Sequence, residues 1–256
     1  FNFYRHSALL LVRERNGNPA TVILNSEGVH QGCPFSMVLY GVGLLPLGEK
    51  LETSVPDTMQ TMYADDFGGF GPVSGIGLST DLLLRHGPFH GYYVNTGKSV
   101  VVCRAEYLDA CRTELSGYDF RYSTGERYLG GFLGKDGARD EWAEEKIAEW
   151  CDAVSELARI AAPRYPQSAY AALIFSLQHE WQYLQRVLPL PGELFQPLED
   201  VIRNEFIPAL LGGDEAVPDD MRELMSLSSK VGGCCIPDPT KSGAFAHWTS
   251  RHCTER

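Results

Sequence analysis

Met62-Tyr63-Ala64-Asp65-Asp66-Phe67 sets two adjacent carboxylates between two short apolar runs. The runs at 59–64 and 67–70 read as strands, so the pattern predicts a hairpin with Asp65-Asp66 at its turn. Neighbouring strand residues point to opposite faces, and the two acids share a site only where a turn breaks that alternation. Asp tolerates the left-handed backbone that tight turns need. Paired carboxylates at such a tip suit a hard cation such as Mg²⁺, and ions of that kind clamp a transferring phosphoryl group. The plain alternative is an Asp-rich surface turn. Tyr63 and its apolar neighbours argue for core-like strands, which a solvated loop does not need. Gly68, Gly69 and Gly71 leave the returning strand narrow enough for another backbone or a ligand to approach.

Outward from this hairpin, apolar runs at 8–12 and 20–24 flank Asn16-Gly17-Asn18-Pro19, a second hairpin signal. Pro34 suits the first turn of a helix over 35–45, which Pro46 is expected to end or kink. A short helix is predicted over 80–86, closed by Gly87-Pro88. Residues 94–98 read as a turn into a strand at 99–103, and 106–115 as a helix with Gly117 after its end. Residues 127–134 read as strand around Gly130-Gly131. From Asp140, a fair N-cap, the texture becomes helical: Ile147, Trp150, Cys151, Val154, Leu157, Ala158 and Ala161 recur at helical spacing. Further helices are predicted over 168–188 and 194–211, and the tail from Asp214 reads as loop-rich. Trp142, Trp150 and Trp181 read as core.

The 256 residues carry a net charge of −11, from 33 acidic and 22 basic side chains. That sign is wrong for a simple nucleic-acid binder. The acids are uneven, however, and the first fifteen residues are basic (Arg5, Arg13, Arg15), so a local basic groove is compatible with the balance. No stretch approaches the roughly 18 apolar residues of a membrane span, and the N-terminus lacks a charged-then-apolar signal pattern. Seven cysteines without Cys-x-x-Cys spacing read as reduced thiols of an intracellular protein, cytoplasmic or nuclear. Cys234, Cys235, His247, His252 and Cys253 match no standard zinc spacing. Cys234 and Cys235 read instead as apolar fillers before Ile236-Pro237. The chain starts at Phe1, inside patterned sequence, and is read as a fragment.

Tyr63-Ala64-Asp65-Asp66 resembles the Tyr-x-Asp-Asp box of reverse transcriptases. Gln31-Gly32-Cys33-Pro34-Phe35-Ser36 is similar to their upstream Gln-Gly-x-Pro-x-Ser box. Residues 91–99, with Asn95 and Lys98, resemble the following block, and Tyr128-Leu129-Gly130-Gly131-Phe132-Leu133-Gly134 resembles the block that grips the primer. The four stand in the family's order over residues 26–134, with non-LTR retrotransposons the closest flavour. The resemblance implies an α+β fold: a polymerase palm, an antiparallel sheet with packed helices, over 1–138. It implies a helical thumb over 139–212, followed by the tail at 213–256.

The resemblance also implies roles. Asp65 would ligate both catalytic Mg²⁺ ions (Mn²⁺ as a substitute), and Asp66 would support the metal or the primer end. Tyr63 would pack beneath the primer terminus. Gln31, Gly32 and Ser36 would line the nucleotide and template pocket, with Asn95 in the nucleotide-binding set. Lys98 would approach the triphosphate as charge partner or proton donor. Leu129, Gly130, Gly131, Leu133 and Gly134 would position the primer backbone. The partners implied are an RNA template, a DNA primer and deoxynucleoside triphosphates.

One departure matters. The family takes a further metal-binding Asp from a strand ahead of the glutamine–glycine box, and the thirty residues before Gln31 hold no Asp, only Glu14 and Glu27. A fingers region also has no counterpart. The expected function is therefore an incomplete RNA-directed DNA polymerase, inactive alone. The alternatives are a non-catalytic nucleic-acid-binding remnant of a mobile element, and an RNA-directed RNA polymerase. The latter often carries Gly-Asp-Asp, where this chain has Ala64-Asp65-Asp66.

Overall fold

A computed structural model describes residues 8–12, 21–25, 28–29, 33–213 and 215–255. Gln31, Gly32 and the Asn16-Gly17-Asn18-Pro19 turn lie outside them. The fold is α+β. The chain forms two compact units, Phe1–Val101 with Glu106–Tyr122, and Val102–Ala105 with Ser123–Arg256. Among the described residues no helix is long and apolar enough to cross a membrane.

In the first unit, β1 (Ala8–Val12) and β2 (Thr21–Asn25) pair antiparallel with Leu10 opposite Ile23. Helix α1 spans Ser36–Ser54, with Pro46 inside it. It runs on past Pro46, so the end, one of the two expected outcomes, does not occur there. A proline in a helix interior costs about 3 kcal/mol, and this one is outweighed by burial on both sides of it. Leu44, Leu47 and Leu51 are buried and form one cluster with Leu83. Next come β3 (Met59–Tyr63), β4 (Asp66–Phe70) and α2 (Val73–His86). Helix α2 begins earlier than expected, directly after Pro72. Gly75 and Gly77 obscured its start in sequence; a Cβ at Gly77 would stand 3.2 Å from Leu115, so small residues there reflect close packing. After a single helical turn at Thr96–Lys98 come β5 (Val100–Val102), α3 (Leu108–Glu114) and β6 (Arg121–Ser123). Tyr118 donates to the Gly77 carbonyl at 3.0 Å and to Asp81 at 2.7 Å. Burial, then this bond and the Asp81 charge, push its hydroxyl up to about 12.

The second unit contains β7 (Gly125–Tyr128), β8 (Gly131–Gly134) and α4 (Asp136–Glu156). Lys135, not Asp140, precedes the first turn of α4. The hairpin packs with the helices: Phe132 stacks on Trp142 at 5.4 Å. The second compact unit therefore begins ahead of residue 139. Helices α5 (Pro166–Ala172), α6 (Gln178–Val187), α7 (Gln196–Val201) and α8 (Ile207–Leu211) follow. Among the described residues the strands form four two-stranded sheets, β1–β2, β3–β4, β5–β6 and β7–β8.

Three π-helical segments interrupt these helices, at Leu157–Ala161, Leu173–Leu177 and Ile202–Phe206. Their cause is visible in the spacing of core residues. Val154, Ala158 and Ala162 are buried, as are Leu198, Ile202 and Phe206, and Ala169 and Leu173 with Leu177 packed against them. Each set repeats every four residues. At 3.6 residues per turn a four-residue repeat drifts off its face by about 40° per step. One wide π turn absorbs that drift and keeps the apolar stripe inward.

The tail is not loop-rich. It holds α9 (Asp219–Ser226) and α10 (Pro239–Thr254). Loop composition around Pro218 and Gly232-Gly233 hid both. Helix α10 is capped by Asp238, whose side chain accepts from Thr240 N–H at 2.9 Å. Burial raises the Asp238 carboxyl, but bonds from Thr240 and Lys241 outweigh it and hold the group below its ordinary value. Gln185 on α6 donates to the Pro239 carbonyl at 2.6 Å and accepts from Ser242 at 2.9 Å, so burial of polar groups with satisfied partners docks α10 on α6.

Candidate functional site

The β3–β4 hairpin pairs Met62 with Phe67 and Tyr63 with Asp66, leaving Ala64-Asp65 as a two-residue turn. The turn lies one position ahead of the sequence expectation, and Asp66 opens β4. Ala64, not an Asp, takes the positive φ, at +52°. Primed hairpin turns require a positive φ at that first central position, because only they match the twist of the flanking strands. Met62 and Phe67 pack against the Leu44–Leu47–Leu51–Leu83 cluster. By alternation, Tyr63 and Asp66 then face the other way. Tyr63 is 64% exposed, so this face of the hairpin is open and not the core-like surface expected. Gly69 in β4 and Gly71 just after it serve the fold. A Cβ at Gly69 would stand 3.1 Å from Ile76 of α2, and one at Gly71 2.9 Å from the Asp57 carbonyl, so the protein's own backbone and helix occupy the approach proposed for a ligand.

Two tyrosines that sequence reasoning missed stand beside the turn. Tyr92 donates from its hydroxyl to the Asp65 carbonyl oxygen at 3.0 Å, tying the turn to the segment after α2. Tyr40 of α1 has its hydroxyl pKa raised by burial and then by the Asp65 charge. Neither could be read from spacing, because α1 and the 91–95 segment meet the turn only through the fold.

Asp65 and Asp66 are both exposed. Adjacent exposed carboxylates fit Mg²⁺, which is held through one or two carboxylates while keeping several waters. Among the described residues no group of three or more His, Cys, Asp or Glu side chains is gathered to hold a metal.

The other expected residues fall into separate groups. Ser36 is buried at the start of α1, its N–H donating to the Cys33 carbonyl at 3.0 Å. Asn95 caps the Thr96–Lys98 turn, its side chain accepting from Lys98 N–H at 3.2 Å. The Lys98 side chain is exposed. Leu129 and Gly130 form a two-residue turn between β7 and β8, with Tyr128 opposite Gly131. Their φ values are +47° and +79°, the pair of positive angles that a type I′ turn requires. Tyr183 of α6 donates to the Leu129 carbonyl at 2.6 Å, and a Cβ on Gly130 would stand 3.0 Å from its ring. Gly130→Ala is expected to destabilise the second unit by about 1–2 kcal/mol, read as a lower urea midpoint at unchanged slope. Gly131 and Gly134 bound β8, and Leu133 is partly exposed at 37%. No model of a known protein family matches this chain, and no curated protein matches it either.

Proposed function

We propose that the chain is the palm-and-thumb portion of an RNA-directed DNA polymerase of a mobile element, with the Ala64-Asp65-Asp66 hairpin as its metal-binding turn. The observation that carries this reading is the placement of two adjacent exposed carboxylates at the tip of a short hairpin anchored by Met62 and Phe67. Mg²⁺ bound there would supply charge neutralisation at a transferring phosphoryl group. Asp65 and Asp66 would hold the ion, and Tyr92 would fix the Asp65 backbone through its carbonyl oxygen. Tyr63, exposed beside Asp66, would offer a flat face to a primer end. In the second unit the Leu129-Gly130 turn, braced by Tyr183, would present backbone to the primer strand. The two-stranded sheets and the helices support the palm and thumb at the level of an α+β architecture.

Mn²⁺ serves as a spectroscopic probe of the turn. Paramagnetic relaxation of bulk water is expected to report millimolar-range Mn²⁺ binding that rises with added template–primer and nucleotide. Asp65→Asn is expected to weaken it at least tenfold. Unchanged Mn²⁺ binding in Asp65→Asn would sink the metal-turn reading. A second reading, a non-catalytic nucleic-acid-binding remnant, is favoured by the absence of a three-carboxylate group among the described residues. Tight template–primer binding without metal dependence, unaltered in Asp65→Asn, is the result that selects it.

A further inference from the structure

Helix α10 leaves large aromatic surface in solvent. Phe245 and Trp248 are 71% and 60% exposed, while Trp150 and Trp181 are buried in the core. Phe245, Trp248 and His252 fall at i, i+3 and i+7, one stripe of a helix. The rings are ordered along it. Phe245 and Trp248 stack with centroids 6.3 Å apart, and Trp248 and His252 stand 5.2 Å apart with planes only 6° from parallel. The inner face of the same helix is held by Gln185 and carries the buried Gly243, so the aromatic stripe is not needed to dock α10 on α6.

Cations stand beside the stripe. Across Pro239–Thr254 the helix carries Lys241, Arg251, His247 and His252, and the acids at its two ends pair with its cations, Asp238 with Lys241 at 3.1 Å. Arg251 pairs with Glu255 at 2.6 Å, both more than half exposed. Exposed pairs of this kind contribute little to stability, so a phosphate can displace the carboxylate at little cost. A shallow cleft of about 230 Å³ lies between His247, Trp248, Arg251, His252 and Glu255. It is too small for a large ligand, and it opens beside a flat indole.

We propose that the Phe245–Trp248–His252 ladder is a stacking platform for the bases of a single-stranded nucleic acid, with Arg251 and His252 beside its phosphates. Aromatic faces next to cations are how proteins hold single strands without reading sequence, and cationic side chains meet the backbone charge. The choice of nucleic acid as occupant rests on the polymerase reading. The platform itself requires no metal and no Asp65.

The test is titration of end-labelled oligodeoxythymidylate and oligouridylate with the full chain, followed by fluorescence anisotropy of the label at low salt. Saturable binding is expected. Trp248→Ala is expected to weaken binding by roughly 5- to 150-fold, the loss of one stacked base. Trp248→Phe keeps a ring and is expected to retain most of the affinity, with far-UV circular dichroism of each variant unchanged. An abasic strand of equal length, which keeps the phosphates and loses the π faces, is expected to bind about as weakly as the Trp248→Ala variant does. Wild-type affinity in Trp248→Ala, or equal affinity for the abasic strand, overturns the proposal. So does a concentration-dependent dimer that Trp248→Ala dissolves while strand binding persists, since the face would then join two copies. The metal turn is read by Mn²⁺ relaxation and this platform by strand affinity in the absence of metal, so failure of the one and failure of the other give different results.

Discussion

Arg222→Met is expected to lower the stability of the second unit by about 3–5 kcal/mol, the cost of stranding a buried charge. Arg222 on α9 grips Glu199 on α7 with two bonds of 2.6 Å, Nε to one carboxylate oxygen and Nη2 to the other, and donates from Nη1 to the Ile236 carbonyl at 2.8 Å. The two side chains are 6% and 8% exposed. Removing Arg222 leaves the Glu199 carboxylate without its counter-charge and the Ile236 carbonyl without its donor. The double change Glu199→Leu with Arg222→Met removes both charges and is expected to recover most of the loss, because packed apolar groups often equal a buried pair. Urea unfolding of the two variants checks this. A cost under about 1 kcal/mol for the single change, the range of exposed pairs, would show that the pair is not sealed from water. By contrast the exposed pair Arg112–Asp109 at 3.1 Å belongs to that weak class.

No primer extension is expected from the 256-residue chain given an RNA template, a DNA primer, deoxynucleotides and Mg²⁺ or Mn²⁺. Two metals about 3.5–4 Å apart need several bridging oxygens. Asp65 and Asp66 supply two carboxylates, and among the described residues no third acid, His or Cys joins them. On the polymerase reading, incomplete charge neutralisation would leave phosphoryl transfer without its main stabilisation, which in such chemistry is electrostatic. Template-dependent extension that disappears in Asp65→Asn would overturn the expectation and locate the missing donor within the chain. The Mn²⁺ experiment is separate, since one ion needs only the pair.

Local chemistry made parts of the site legible. Apolar runs around Asp65-Asp66 read as a hairpin, and the structure has one, shifted so that Ala64 carries the positive φ. The shift arises because the register is set by Met62 and Phe67 packing on α1 and α2, which side-chain alternation then propagates to the tip. Trp150 and Trp181 read as core from their spacing and are buried. Phe245, Trp248 and His252 shared a helical spacing as well, but glycines and prolines around 212–239 masked the helix that aligns them.

Chemistry between neighbours along the chain was enough for the α+β texture, the strand–turn–strand about Asp65 and the helical spacing of the apolar residues after Asp140. Tertiary structure alone decided what depends on burial. Helix α1 runs through Pro46 because Leu44, Leu47 and Leu51 gain more by packing than the lost hydrogen bond costs. The four-residue repeats become π turns because the stripe must stay on one face. Tyr92 bonds the Asp65 turn, Tyr40 comes to feel the Asp65 charge, and Arg222 finds Glu199, only when distant segments fold together. Propensity and turn chemistry act over a few residues, whereas desolvation and packing act across the whole of each unit, and they prevail wherever the two conflict.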